Sequence, residues 1–219
     1  MNERNLPEEG APEAPGPASD DPSVPEGAFL LHERARPSFR EVFGRFLAAS
    51  TEMDAAILHV RLGAVDLTAA EMQATRRMRV LVAEANARTL EGEAYALLRD
   101  REKRVNLDRI LALLRNEVLH LRSAPLGGWS PDFSVFCQEG EPTRLLLGLH
   151  WFRRPFPHRG PAWAAGFGAR EARLAKGRFE TIWRQAHDIG TPVLRILENV
   201  RSRERKRPPE IVDTPGGFG

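Results

Sequence analysis

Short apolar runs of strand length alternate with amphipathic helical segments along this chain, and this alternation constrains its fold more than any other feature. The expected strands cover residues 55–62, 79–83, 119–123, 133–137, 145–152 and 161–166. Apolar residues recur at helical spacing elsewhere, most clearly over 169–187. Strands alternating with helices are typical of layered α/β domains. The turn at 138–142 would join two runs as a hairpin, which predicts a mixed β-sheet with flanking helices.

The two ends of the chain differ in composition from its middle. We expect residues 1–36 to be a disordered, acidic, Pro-rich tail, because they offer little to bury. Residues 37–200 are predicted to form the α/β domain, with an extra N-terminal helix that opens at Ser38 in a capping box with Glu41. A basic segment and then a Pro/Gly-rich tail should fill 201–219.

Charge is distributed unevenly, although the chain is nearly neutral. Removing the one base and seven acids of residues 1–27 from the chain's 32 bases and 30 acids leaves 31 and 23, a net charge of +8. A basic body favours an anionic ligand or partner, or nucleic acid, with the acidic tail as a weak competitor. A solubilising tail on an Arg-rich surface is the other interpretation. The preference for arginine over lysine suggests a bacterial chain encoded by a GC-rich genome.

Several classes of protein are disfavoured by what the sequence lacks. Cys137 is the only cysteine, so no disulfide can form within the chain, and a cytoplasmic location is expected. No apolar run is long enough to predict a membrane span. No spacing of histidine or cysteine suggests zinc, and no phosphate-binding loop is found, so we expect neither metal nor cofactor.

Donor groups and flat rings concentrate around the apolar run that ends near residue 149. The expected ligand-binding residues are Asp132, His150, Arg153, Arg154, His158 and Arg159. The expected aromatic lining is Trp129, Trp151 and Trp163. Arginine forks and histidines suit a carboxylate or phosphate, and indole rings stack on a base or sugar. A solvated basic loop with structural histidines and core tryptophans remains the competing interpretation.

Three segments within residues 55–187 follow one another in a characteristic order. They are Ser130-Pro131-Asp132-Phe133-Ser134-Val135-Phe136-Cys137, then Leu145-Leu146-Leu147-Gly148-Leu149-His150, then the segment around Arg178-Phe179-Glu180 and Trp183. In this order residues 55–187 resemble one half of a phospholipase D superfamily domain. The first segment lies where that family carries His-x-Lys-x4-Asp, the second where its next strand and glycine occur, and the third resembles its closing helix. The resemblance implies the family's layered fold.

The same alignment implies that the catalytic set is missing. Ser130 stands at the position of the nucleophilic histidine, Asp132 at that of the phosphate-binding lysine and Cys137 at that of the aspartate. A carboxylate in place of the cation would repel phosphate. The resemblance therefore implies a binding, regulatory or scaffold module rather than an enzyme. Because the family builds its site from two halves, it also implies a homodimer or a related partner subunit.

Two other functions stay open from the sequence. The chain could be a phosphodiesterase or nuclease that uses His150 or His158 instead of the missing histidine. It could also be an adaptor subunit of a larger bacterial complex, docking through its acidic tail and through the apolar face of the N-terminal helix (Phe39, Val42, Phe43, Phe46 and Leu47). Cys137 lies in an apolar run, so we expect it to be buried and inert.

Overall fold

The computed structural model describes residues 27–32, 37–59, 62, 70–84, 87–100, 104–124, 132–148 and 163–205. Within these ranges the chain forms eight strands and five helices. The strands are β1 (Phe29–His32), β2 (Glu52–His59), β3 (Arg77–Glu84), β4 (Leu119–Ser123), β5 (Phe133–Gln138), β6 (Glu141–Gly148), β7 (Trp163–Phe167) and β8 (His187–Asp188). The helices are α1 (Phe39–Ala48), α2 (Ala87–Arg99), α3 (Arg104–Arg115), α4 (Ala169–Gln185) and α5 (Gly190–Arg205).

All eight strands belong to one mixed sheet in the order β1-β7-β6-β5-β2-β3-β4-β8. The central strands β2, β3 and β4 are parallel, and the remaining neighbours pair antiparallel. The predicted hairpin joins β5 to β6 through Glu139 and Gly140, which both have positive φ as a tight two-residue turn requires. The prediction of a layered α/β domain with a mixed sheet is confirmed.

The two faces of the sheet are covered unequally. Helices α1, α2, α3 and α5 contribute to a large core on one face, with Met53, Val80 and Phe136 from the strands. Helix α4 covers the other face, where its Ala172 and Phe179 are buried. In the described part of the chain, α4 is therefore the helix that covers this face, and its contacts with the strands determine the packing there.

The apolar face of α1 packs inside this domain. The rings of Phe43 and Phe46 lie edge-on to Phe136, with centroids 5.3 and 5.4 Å from it, and the two side chains are 0% and 5% exposed. The capping box is confirmed, since the Ser38 hydroxyl accepts from Glu41 N and the Glu41 carboxylate accepts from Ser38 N. The expectation that this face docks an external partner is therefore wrong.

The domain begins earlier and ends later than the sequence predicted. Strand β1 lies within the predicted tail of residues 1–36, yet it pairs with β7 from Phe29↔Gly166 to His32↔Trp163. Helix α5 continues to Arg205, beyond the predicted boundary at 200. A four-residue strand gains its stability from the sheet edge it joins, so its composition alone gives little signal.

The structure shifts several of the predicted element boundaries. The strand predicted over 145–152 begins at Glu141, and its residues 149–152 lie outside the described residues. Helix α4 ends at Gln185, before His187, which belongs to β8. Helices α2 and α3 begin at Ala87 and Arg104, so Thr89 and Asn106, which are capping residues by type, lie inside them.

We predict that Gly166→Ala will destabilise the fold because β1 is part of the sheet. A Cβ at Gly166 would overlap the ring of Phe29, and forced overpacking costs about 1–3 kcal/mol. Urea unfolding of Gly166→Ala, Phe29→Ala and the double variant measures the coupling, and we expect the double variant to lose less than the sum of the singles.

The matched control is Gly177→Ala on α4, where an added Cβ meets nothing within 4 Å. Alanine in a helix interior is favoured over glycine by roughly 0.5–1 kcal/mol, so this variant should be neutral or more stable. Equal stability of Gly166→Ala and the parent would contradict the pairing of β1 with β7.

Candidate functional site

Asp132 lies at the edge of the sheet where β2, β3, β4 and β6 end and β5 and β7 begin, here called the carboxyl edge. Its side chain is buried, and its Oδ1 accepts a hydrogen bond from Leu58 N at 3.0 Å. Its backbone oxygen accepts from Gly148 N at 2.8 Å. Asp132 thus joins β2 and β6 at the start of β5, and its carboxylate satisfies the backbone of a neighbouring strand.

Most of the residues predicted to bind a ligand or to form the aromatic lining lie outside the described part of the chain. These are Trp129, His150, Trp151, Arg153, Arg154, His158 and Arg159, while Trp163 begins β7 with its side chain not described. The structure does describe the strands on either side of residues 149–162. Gly148 ends β6 and Trp163 begins β7 at the carboxyl edge, and Gly148 pairs with Ala164. The described residues on either side of 149–162 therefore both lie at the edge that carries Asp132.

A buried charged cluster, which the sequence reading missed, lies between the sheet and α4. Asp54 of β2 and Arg79 of β3 are register partners. The Arg79 Nε and Nη2 donate to the two carboxylate oxygens of Asp54 at 2.7 Å each, and Nη2 also donates to Glu180 Oε1 of α4. The Asp54 side chain is 0% exposed and that of Arg79 10%, so both charges depend on each other for solvation.

Lys176 of α4 completes this cluster. Its Nζ lies 3.0 Å from Asp54 Oδ2 and 3.3 Å from Cys137 Sγ. Burial by itself lowers the pKa of Lys176, but the charge of Asp54 and its hydrogen bond outweigh that effect, so the pKa is raised. The Arg79 pKa is likewise raised, because Asp54 and Glu180 outweigh its burial. Both cations therefore stay charged against the buried carboxylate.

Cys137 is fully buried, as expected from its apolar run. Burial raises the pKa of its thiol, and the nearby Lys176 ammonium offsets only part of that effect. A thiol held protonated in a closed site is a poor nucleophile. Cys137, at the position of the family's catalytic aspartate in the resemblance, is a packing residue against α4.

Aromatic rings close the same cluster on the side of β4. The guanidinium of Arg79 lies over the rings of Phe179 and Trp183, at 5.0 and 5.3 Å from their centroids. Arg122 lies 4.7 Å from the Trp183 ring and donates to the Trp183 carbonyl at 2.8 Å. The two rings stack at 5.4 Å. Cations between planar rings and carboxylates hold α4 in one orientation on the sheet.

Within the described residues, the charges of this cluster are paired with one another: Asp54 with Arg79 and Lys176, and Arg79 with Glu180. Such pairing is what a structural role for the cluster requires. No group of three or more histidine, cysteine or acidic side chains is arranged to hold a metal ion within the described ranges. None of the helices there has the length and apolar character needed to cross a membrane.

Comparison with known proteins gives structural matches alone. No family model matches the chain, and no curated protein matches it. Nuc from Salmonella typhimurium, a phospholipase D family member, is 12% identical with a TM-score of 0.46, and the match covers 74% of this chain and 96% of Nuc. A phospholipase D family member is thus among the structural matches.

Two further solved structures match the chain with similar TM-scores. TrmBL2, an archaeal chromatin protein with a novel mode of DNA binding, is 14% identical with a TM-score of 0.45, over 78% of this chain and 57% of that protein. Polyphosphate kinase from Porphyromonas gingivalis is 14% identical with a TM-score of 0.43, over 71% of this chain and 26% of the kinase. At these values the similarity concerns the general fold only, and the chain spans little more than half of TrmBL2.

We predict that Asp54→Ala will destabilise the protein by about 3–5 kcal/mol, because it leaves Arg79 and Lys176 buried without their shared carboxylate. Chemical denaturation followed by circular dichroism measures the loss. The control is Glu198→Ala, which removes the exposed ion pair with Arg115 and should cost about 1 kcal/mol or less. Similar losses in the two variants would argue against a structural role for the buried cluster.

Proposed function

We propose that this chain is a catalytically silent, phospholipase-D-like module that binds an anionic ligand or partner group at its carboxyl edge. The observation that carries the proposal is the placement of Asp132. Its carboxylate is used by Leu58 N, and its backbone holds Gly148, the last described residue before His150, Arg153 and Arg154. In the sequence, the candidate cations thus come soon after a strand end that is hydrogen-bonded to Asp132.

The chemistry of an α/β sheet supports this location. Ligands of open α/β sheets bind outside the carboxyl ends of the strands, where loops from several strands meet. Here β2, β3, β4 and β6 all end at one edge. Arg153, Arg154 and Arg159 would supply paired donors for a carboxylate or phosphate, and His150 and His158 a further donor. The tryptophans 129, 151 and 163 would line the site if the ligand carries a flat ring.

A silent site is favoured over an active one by two residues of the motif region. Asp132 places a carboxylate in the position of the family's phosphate-binding lysine, and that carboxylate is engaged by the sheet. Cys137 stands in the position of the aspartate and is buried, with a raised pKa. Neither residue supplies what phosphoryl transfer requires, namely a cation on the phosphate oxygens or a carboxylate beside the nucleophile.

Assembly of two copies is part of the proposal. The family resemblance implies that a single half-domain pairs with a second half across its site, so the carboxyl edges of two protomers would face each other. Light scattering of the full chain decides whether a homodimer forms. A monomer at all concentrations would leave the ligand site to a single chain or to a related subunit.

We predict that Arg153→Ala with Arg154→Ala will weaken binding of anions by more than about tenfold, since a charged hydrogen-bonded pair contributes about 1.5–3 kcal/mol. Titration of inorganic phosphate by calorimetry and of a fluorescein-labelled oligonucleotide by anisotropy separates a small anion from a nucleic acid. The melting temperature should stay at that of the parent.

The control for charge is Arg99→Ala with Arg195→Ala, which removes two exposed arginines on α2 and α5. If this pair lowers the affinity as much as the first, binding reflects net charge and the proposed site is wrong.

We also predict no turnover of bis(p-nitrophenyl) phosphate above the uncatalysed rate, with or without Mg²⁺ or Mn²⁺. Release of nitrophenolate is followed by absorbance for the parent and for His150→Ala and His158→Ala. Turnover in the parent that disappears in one histidine variant would identify the chain as a phosphodiesterase and overturn the silent-site proposal.

A further inference from the structure

An open groove of about 650 Å³ lies at the edge of the sheet opposite Asp132, here called the amino edge. It is formed by the end of α1, the β5–β6 hairpin and the start of α4. Its lining residues are Arg45, Phe46, Ala49, Ser50, Gln138 and Thr143, together with Arg144 and Ala169. The lining therefore combines apolar surface with two guanidinium groups and contains no carboxylate.

The cations continue outside the groove along α4. Arg170 and Arg173 are exposed on the first two turns of that helix, directly after Ala169 of the lining. Within the groove, the guanidinium of Arg144 lies 5.8 Å from the centroid of the Phe46 ring. The lining thus offers positive charge from Arg45 and Arg144, with Arg170 and Arg173 beside it, while the exposed Glu139 and Glu141 of the hairpin lie outside the lining. The groove itself therefore suits an acidic segment.

The chain itself carries such a segment, immediately before β1 in the sequence. Phe29, the first residue of β1, pairs with Gly166, three residues before Ala169, and its ring lies 6.3 Å from that of Phe46. The N-terminal residues therefore enter the domain next to the groove. Between residues 5 and 27 they carry Glu8, Glu9, Glu13, Asp20, Asp21 and Glu26 and no base.

We propose that the acidic N-terminal segment of this chain, residues 18–26, docks in the amino-edge groove of the same protomer. Asp20, Asp21 and Glu26 would pair with Arg45 and Arg144, and Val24 would cover the exposed Ala49 of the lining. An extended residue spans about 3.3–3.6 Å, so Val24 lies within roughly 17 Å of Phe29 and can reach the groove.

Tethering makes such docking favourable even though each contact is weak. A short linker holds a segment at an effective concentration of about the millimolar range near its site. Exposed ion pairs are individually weak and are screened by salt, so the docked state should be sensitive to ionic strength. This inference is independent of the ligand site at the carboxyl edge, because the two lie at opposite ends of the strands.

The test uses the full chain with Ser23→Cys carrying a nitroxide spin label, because Cys137 is buried and does not compete for the reagent. Paramagnetic broadening of backbone amides is read by NMR. We expect strong broadening at Ala49, Ser50, Thr143 and Ala169, which line the groove, and its loss at about 1 M NaCl, where the Debye length is about 3 Å.

Two arginine pairs provide the decisive comparison. Arg45→Gln with Arg144→Gln should reduce the broadening at least severalfold, whereas Arg99→Gln with Arg195→Gln, which removes the same charge from α2 and α5, should leave it unchanged. Circular dichroism confirms that each variant is folded. Asp20→Asn, Asp21→Asn and Glu26→Gln together in the spin-labelled chain should have the same effect as the groove variant.

Three results would overturn the proposal. The first is absence of broadening at the groove in the parent at low salt. The second is equal broadening in the groove variant and its control. The third is broadening in a mixture of isotope-labelled chain without nitroxide and spin-labelled chain without isotope, because that result assigns the groove to the tail of a second copy.

Discussion

The buried ion pair between Asp54 and Arg79 is the interaction on which one entire side of this domain depends. It joins two central parallel strands, and through Glu180 and Lys176 it fixes α4, the helix that covers that face in the described part of the chain. Buried charges are costly when either partner is lost. The rotation of α4 about its own axis is therefore specified by polar contacts, whereas its closeness to the sheet comes from Ala172 and Phe179.

This arrangement separates two ends of the molecule with different chemistry. At the carboxyl edge, Asp132 ties three strands together, and Gly148, whose N–H donates to its backbone oxygen, precedes the segment with His150 and the arginines. At the amino edge, the β5–β6 hairpin, α1 and the start of α4 form a groove with cations and no acid in its lining. The body of the chain is basic while its N-terminal segment is acidic, and the structure brings the point where that segment enters close to the groove.

The sequence predicted the central part of the fold because its strands carry continuous apolar runs. Val80, Leu81 and Val82 belong to β3 and are fully buried, which is the pattern that a parallel strand covered on both faces produces. Strand β1 was assigned to the tail because its pairing with β7 is a long-range contact that a local pattern does not encode. Thr89 and Asn106 are good capping residues by type, but each helix begins two residues before them, at a residue with an exposed side chain.

The candidate sites were less predictable than the fold. The buried cluster was missed since charges at Glu52, Asp54, Arg77 and Arg79 look like a solvated strand face when each strand is read alone. Opposite charges at the same spacing in two neighbouring strands were the available signal, but the register of β2 against β3 was needed to use it. Asp132 was singled out, and its carboxylate accepts a hydrogen bond from Leu58 N.

The two outer strands of the sheet carry a consequence for how copies of this chain can associate. The described sheet ends on one side in β1, with four residues, and on the other in β8, with two. Strands this short give an approaching backbone few hydrogen-bonding groups to extend. A pair of protomers is thus disfavoured from merging into one continuous sheet and would have to meet through loops or helices.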